Sequence, residues 1–167
     1  GDVGHSRGWK YREEKRREWL GGDSSIVYHH GIVIARKGKG YGTLLLNHAL
    51  KNTKGIENKI ISSFIDIAKS NEEGKNETAL NEPSYTLHMK AGFVSVGIVE
   101  PPVYEGAVTY LSFLKLPSLS YRGMAKKIKF DNPNVNETLD NLQDLFSREY
   151  IGVSYDRQNH EMSFYHI

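Results

Sequence analysis

Residues Ile32 to Leu46 read I-V-I-A-R-K-G-K-G-Y-G-T-L-L-L, an apolar run followed by a basic, glycine-rich turn and a leucine-rich segment. This order predicts a strand that passes through a tight turn directly into a helix. The backbone N–H groups of such a turn and of the first helical turn converge on one point, where the helix dipole adds partial positive charge. Glycines let a ligand approach the backbone closely. The stretch therefore predicts an anion site, and we expect a diphosphate as the ligand.

Two common nucleotide-binding motifs do not fit this turn. A Walker loop requires a lysine directly before Ser or Thr, whereas Thr43 follows Gly42. A dinucleotide fingerprint has the spacing G-x-G-x-x-G, whereas Gly38, Gly40 and Gly42 alternate. The turn instead resembles the R/Q-x-x-G-x-G/A signature of the GNAT superfamily of acyl-CoA-dependent N-acyltransferases, with Lys37 in place of the usual Arg or Gln.

A second stretch, Asn81 to Phe93, strengthens this resemblance. Its sequence, N-E-P-S-Y-T-L-H-M-K-A-G-F, is similar to the second signature of the family, in which an Asn opens a short helix that ends in Gly-Phe. Pro83 suits a first helical position, and Asn81 or Glu82 suits the cap. Gly92 suits the left-handed residue that ends a helix. The two signatures occur in the order that the family requires.

The resemblance implies an α/β fold with a mixed α+β sheet, splayed central strands and flanking helices. It ends near residue 116, so we expect a GNAT-like acyl-CoA-binding domain at residues 1–116. The region before Lys37 is shorter than in the family, so we expect an abbreviated N-terminal part of the fold. Residues 117–167 are expected to form a small α+β appendage of unknown role, which either shapes the acceptor pocket or mediates a homodimer.

The predicted elements follow from local patterns. We expect strands at Ser24–Ala35, Lys59–Ala68 and twice within Val94–Leu116, with an irregular loop at Lys69–Leu80. Between the first two strands, a helix over Thr43–Asn52 is expected to bury Leu44, Leu45, Leu46, Ala49 and Leu50. The appendage is predicted as strand, helix, strand, strand: Lys126–Asp131, Asn136–Tyr150 with Asn136 as its cap, Ile151–Tyr155 and Met162–Ile167.

The resemblance implies that acetyl-CoA is the co-substrate. The family pairs its pantetheine arm with the strand before the turn, which places His30 and Ile32 beside that arm. The residues expected to bind acetyl-CoA are Ile32, Ile34, Lys37, Gly38, Lys39, Gly40, Tyr41, Gly42, Thr43 and Asn81.

N-acyl transfer needs a neutral amine, a group that accepts its proton, and often an acid for the leaving thiolate. In the family a tyrosine of the second signature is the acid, but here that position is His88, which can donate near neutral pH. A purely structural His88 is the open alternative. Tyr85, one turn earlier, is the second candidate acid.

His29 and His30 are candidate bases, with hydrogen-bonded structural roles as the alternative. Adjacent strand residues face opposite sides, so this pair does not chelate one ion, and we predict no metal site.

Length and composition set outer limits. The 167 residues suffice for one domain with a small addition, and 22 basic against 20 acidic residues leave the charge near balance. The chain has no cysteine, which excludes disulfides, thiolate metal sites and a cysteine nucleophile. No apolar run approaches the ~20 residues that span a bilayer. We expect a cytoplasmic protein with no membrane partner, whose start at Gly1 reflects processing, tagging or truncation.

We therefore expect an N-acetyltransferase that transfers an acetyl group from acetyl-CoA to a primary amine by direct attack in a ternary complex. The amine acceptor, a small molecule or a protein, is not identified. In the predicted loop, Glu72, Glu73 and Glu77 either face a cationic acceptor or are simply solvated. The alternative function is a non-catalytic acetyl-CoA or CoA-binding regulatory module. Nucleic-acid binding through Lys10–Arg17 and Lys126–Lys129 is a third, weaker alternative, against which the near-balanced charge argues.

Overall fold

The computed structural model describes residues 26–28, 39–55, 59–100, 104–116 and 118–167, the first of these by backbone alone. In chain order, the elements are β1 (Ile26–Tyr28), α1 (Tyr41–Asn52), β2 (Ile60–Ser70), β3 (Asn76–Thr78), α2 (Glu82–Lys90), β4 (Val94–Val99), β5 (Val108–Lys115), β6 (Arg122–Lys129), α3 (Val135–Ser147), β7 (Tyr150–Asp156) and β8 (Glu161–His166).

The strands form one mixed sheet, in the order β1-β2-β5-β4-β7-β8-β6, with β3 added to the end of β2. Strand β1 runs parallel to β2, and the other pairs are antiparallel. This confirms the predicted mixed α/β class. No helix in the described ranges is both long and apolar enough to cross a membrane.

Helix α1 connects the two parallel strands. A parallel pair cannot be joined by a tight hairpin, so the chain must cross over between β1 and β2, and α1 provides this crossover. In such a β-α-β unit, the N-terminus of the helix lies near the sheet edge at which the strands end, where ligands of open α/β sheets bind.

The buried face of α1 differs from the prediction. Leu46 is buried and Leu50 half-buried, whereas Leu44 and Leu45 are 65% and 49% exposed and Ala49 is also exposed. Consecutive helical residues point about 100° apart, so three adjacent leucines cannot share one narrow face. The buried stripe instead follows a spacing of four residues, beginning at Gly42.

The predicted loop at Lys69–Leu80 contains regular structure. Strand β2 continues to Ser70, and β3 pairs with its last residues. The turn between them is organised by the Asn71 side-chain oxygen, which accepts hydrogen bonds from the backbone N–H groups of Glu73 and Lys75 at 3.0 and 2.9 Å. The sequence did not indicate this strand, because β3 has no apolar residue.

The C-terminal order of strand, helix, strand and strand is as predicted, and α3 buries Leu139, Leu142, Leu145 and Phe146. The boundaries of these elements differ from the prediction by one to four residues. Strand β6 begins at Arg122, four residues before the predicted Lys126. The cap of α3 is Asn134, whose side chain accepts from the N–H of Glu137 at 3.3 Å, whereas the predicted cap Asn136 lies in the first helical turn.

Residues 26–116 and 118–167 share this sheet through a single residue pair, Ser95 of β4 with Gly152 of β7. The register of each strand shifts directly after this pair, as at a β-bulge. Ser95 and Gly152 are both buried. A Cβ atom added to Gly152 would lie 2.5 Å from the Met162 sulfur and 3.1 Å from Ser95 Cβ. A side chain at position 152 would therefore crowd Met162 and Ser95 where β4 and β7 meet.

We predict that Gly152→Ala destabilises the fold by about 1–3 kcal/mol, because the added methyl group overpacks a closed junction. Chemical denaturation measures the free energy of unfolding. Ser154→Ala, at an exposed position of the same strand, is the control and should change stability by less than about 0.5 kcal/mol. Equal stability of the Gly152→Ala and control proteins would show that the junction tolerates a side chain.

Candidate functional site

The N-terminus of α1 has the features of an anion site. Gly40 precedes the helix in the left-handed region, with φ 74°, and no side chain caps the helix. The first turn contains no acidic residue, and the first intrahelical bond runs from the N–H of Leu44 to the Gly40 carbonyl. The N–H groups of residues 41 to 43 therefore precede the helical ladder, as expected at a helix start. Lys39, Tyr41 and Thr43 are exposed around them.

Space at this turn is open. A Cβ atom built on Gly40 would meet no atom within 4 Å, so the turn needs glycine for its backbone conformation and not to avoid a neighbour. Gly42 has a different role, since it is buried at the start of the stripe that packs on the sheet. The arrangement is a cradle of backbone donors beside one lysine, which fits a phosphate oxygen.

Six predicted site residues lie outside the described part of the chain. They include both candidate bases and the basic residue of the first signature. They are His29, His30, Ile32, Ile34, Lys37 and Gly38.

The second signature forms α2 in the way that its local sequence predicts. The Asn81 side chain caps the helix by accepting from the N–H of Ser84 at 3.4 Å, and Pro83 lies in the first turn. Gly92 takes φ 92° just after the helix. The Lys115 ammonium of β5 donates to the Ala91 carbonyl at 2.8 Å and fixes the C-terminal end of α2. Both ends of the helix are thus anchored.

His88 is buried, with 5% of its surface exposed. Its Nδ1 lies 2.8 Å from the Ser84 carbonyl oxygen, which can only accept, so Nδ1 carries a proton. In the neutral ring, Nε2 is then an acceptor, and Ser63 Oγ lies 3.3 Å from it. The ring also packs edge-on against Phe93. His88 is therefore oriented as precisely as a catalytic group would need, but it does not face open solvent.

Tyr85 belongs to the core and is fully buried. Its hydroxyl donates to the backbone carbonyl of Asp66, and burial raises its pKa far above the usual range. A phenol in this position has no route to a ligand in the described structure. Tyr85 and His88 both lie on the buried face of α2, and that face packs onto the sheet.

A network that no sequence pattern indicates lies at the start of α2. Glu82 Oε1 accepts hydrogen bonds from the Tyr155 hydroxyl at 2.6 Å and from His160 Nδ1 at 2.5 Å. His160 has a positive φ of 51°, which is unusual for a residue other than glycine. Glu82 of α2 is 73 and 78 positions from Tyr155 and His160 of the β7–β8 hairpin, so sequence spacing could not have revealed the network.

The network shifts the acidity of its members. Partial burial acts to raise the pKa of Glu82, but hydrogen bonds from Tyr155 and His160 outweigh it and the pKa lies below its usual value. The hydrogen bond to Glu82, and then the negative charge of Glu82, raise the pKa of His160. Burial, followed by the hydrogen bond to Glu82, raises the pKa of Tyr155. Glu82 and His160 therefore form an ion pair over the acidic side of neutrality.

The three loop glutamates do converge on one surface. Glu72, Glu73 and Glu77 line a groove of about 500 Å³ together with Glu105. Two of them are already engaged, since Lys75 pairs with Glu73 at 3.0 Å and Asn71 donates to Glu77 at 3.0 Å. In the ranges that the structure describes, no group of three or more His, Cys, Asp or Glu residues is arranged to hold a metal ion.

Comparisons of the chain with models of protein families, with curated proteins and with solved structures found no match. The family resemblance therefore stays a prediction that rests on two short motifs.

We predict that His160→Asn destabilises the protein more at about pH 5.5 than at about pH 8.5, and Asn is chosen because it tolerates positive φ. The raised pKa of His160 means that its contribution is complete below the unfolded value of about 6.5 and is lost as pH rises through the folded value. The lowered pKa of Glu82 has the opposite effect, with stability lost as pH falls below 4.5 towards its folded value.

Urea denaturation at the two pH values measures this difference. Glu82→Gln keeps an acceptor for Tyr155 but removes the charge. In that background, the effect of His160→Asn should be the same at both pH values. A pH-independent effect in the native background would contradict the ion pair.

Proposed function

We propose that this protein binds acetyl-CoA at the N-terminus of α1 and transfers the acetyl group to a primary amine. The observation that carries the proposal is the start of α1, which no side chain caps. Gly40 precedes the helix in the left-handed conformation, next to Lys39. Backbone N–H groups at such a position bind phosphate well, because the donors and the helix dipole act together.

The surrounding topology supports this site. Helix α1 lies between two parallel strands in the chain, an arrangement whose helix starts commonly bind ligands in open α/β sheets. The antiparallel pair β4 and β5 follows α2, as expected for the closing hairpin of a GNAT-type fold. Asn81, expected to contact the pantetheine or the acceptor, is exposed while its side-chain oxygen caps α2.

The chemistry requires two proton transfers. The amine nitrogen attacks the thioester carbonyl carbon and loses a proton, the C–S bond breaks, and the CoA thiolate takes up a proton. For His88 to supply that last proton, Nε2 has to be protonated first. The proton then has to travel through or past the Ser63 hydroxyl to reach the thiolate. The Nδ1 bond to Ser84 would stabilise the imidazolium during this step, since it donates in either charge state.

A second candidate function is the non-catalytic acetyl-CoA-binding module. The burial of both predicted acids favours it, because Tyr85 is bonded to a main-chain carbonyl and His88 has both ring nitrogens engaged. Such a protein would bind acetyl-CoA through the same helix start without turning it over. The two functions thus share one ligand site and differ in the role of α2.

Gly40→Trp tests the ligand site, and Gly55→Trp is its matched control. Gly40 and Gly55 have nearly the same φ, 74° and 73°, and neither has an atom within 4 Å of its Cβ position. Because their φ values match, both substitutions impose the same left-handed strain, about 1–2 kcal/mol. Gly55 follows the other end of α1, away from the proposed site. We expect only Gly40→Trp to weaken acetyl-CoA binding, by at least about tenfold or ~1.4 kcal/mol, in calorimetric titration. Equal affinity of the two variants would contradict the site.

His88→Gln tests the catalytic role. If His88 protonates the thiolate, turnover of acetyl-CoA against an amine panel should fall by about 10²-fold or more, with acetyl-CoA affinity unchanged. Met89→Leu, a volume-conserving change at the adjacent buried position of α2, should cost less than about 1.5 kcal/mol and leave turnover intact. Binding of acetyl-CoA by the native protein with no turnover on any amine would select the non-catalytic module.

A further inference from the structure

A groove of about 350 Å³ lies between the sheet edge and α3, far along the chain from the proposed acetyl-CoA site. We call it the β6–α3 groove. One wall is a run of four consecutive residues of β6, and the other is a single stripe of α3. The lining residues are Lys126, Lys127, Ile128 and Lys129 of β6, Asn132 after it, and Thr138, Asn141, Asp144, Leu145 and Arg148.

The main chain of β6 forms its wall of the groove. Successive side chains of a strand point to opposite faces, so four consecutive residues can line one groove only along the strand edge. Strand β6 pairs with β8 on one side and is the last strand of the sheet in the described ranges. Its other edge therefore presents main-chain N–H and C=O groups beside α3, which is the geometry that accepts an added strand.

The side chains around this edge are mostly cationic. Lys126, Lys127, Lys129 and Arg148 stand against one carboxylate, Asp144, which pairs with Arg148 at 2.8 Å. Lys127 pairs with Glu161 at 3.0 Å on β8. Lys126 is held over the Tyr150 ring, 4.9 Å from its centre, and not by a carboxylate. The groove thus keeps excess positive charge after its internal pairs are formed.

Two apolar side chains complete the groove. Ile128 and Leu145 are buried, with 9% and 5% of their surface exposed, and they lie on the strand wall and the helix wall respectively. An occupant that follows the strand edge would place alternate side chains against this apolar floor and against the lysines.

A second copy of this chain does not suit the groove. Pairing of two β6 edges would bring Lys126, Lys127 and Lys129 of one copy close to the same lysines of the other. Like charges opposed across strands are destabilising, and edge lysines are a common protection against self-association. The charge that excludes a second copy is complementary to an acidic chain.

We propose that the β6–α3 groove binds an extended acidic peptide segment of a partner protein, which adds to the sheet as a strand beside β6. Main-chain hydrogen bonds to β6 supply affinity, and the lysines with Arg148 select acidic side chains. The segment needs alternating acidic and apolar residues over the four positions of Lys126–Lys129.

The test uses the full chain and a fluorescent peptide, N-acetyl-Glu-Val-Glu-Val-Glu-Val-Glu amide, in an anisotropy titration. Lys126→Glu/Lys129→Glu should weaken binding by at least about tenfold, because two attractive charges become repulsive. Lys54→Glu/Lys90→Glu makes the same change of net charge at two exposed positions, one just after α1 and one at the end of α2, and should leave affinity within about twofold.

A second peptide, with the same side chains but with every internal amide N-methylated, separates strand addition from simple charge attraction. It cannot donate main-chain hydrogen bonds, so we expect its affinity to fall by at least about tenfold. The proposal is overturned if the first peptide does not bind, if the N-methylated peptide binds equally well, or if a short oligouridylate binds more tightly than either peptide. None of these results depends on acetyl-CoA binding.

Discussion

The packing of one ring, Tyr85, fixes the relation between α2 and both halves of the sheet. The ring stacks on Phe113 of β5 with centres 6.0 Å apart and meets Phe130 and Tyr155 edge-on at 5.8 and 5.3 Å. Its hydroxyl donates to the Asp66 carbonyl of β2. Aromatic pairs of this kind contribute about 0.5–1.5 kcal/mol each beyond their buried area. Residues on both sides of position 117 therefore pack against one side chain.

This anchor determines what α2 can do chemically. It holds the helix so that Asn81 and Glu82 begin it at the surface, whereas His88 is pressed between the helix and β2. The packing that orients His88 also removes it from solvent. A catalytic role of His88 in the proposed acetyl transfer requires that a proton reach Nε2 past Ser63. The proposed diphosphate site at α1 does not depend on this requirement, because its donors belong to another helix.

Local sequence signals predicted much of this structure where the physics is local. The Asn81 cap and the Gly92 left-handed residue need only their near neighbours, and both are where the sequence predicted them. The prediction failed where tertiary packing decides. Three consecutive leucines could not show which one α1 would bury, and only the sheet selects Leu46. The cap of α3 was assigned two residues late, since either Asn134 or Asn136 satisfies the local pattern.

The candidate site was predictable in part for the same reason. The glycine turn is a local feature, and Gly40 has the conformation that such a turn requires. The bond between Glu82 and His160 joins residues 78 positions apart, and the β6–α3 groove combines an edge strand with a helix stripe. Features of this kind depend on which elements become neighbours, and periodicity in the sequence cannot supply that information.

A nitrogen-15 NMR titration of the full chain with desulfo-CoA reports each backbone amide separately. If the backbone N–H groups at the start of α1 hold the phosphates of CoA, as we propose, the largest amide shifts will fall at Gly40, Tyr41, Gly42 and Thr43. Shifts confined to other parts of the chain, or none at saturating ligand, would contradict it.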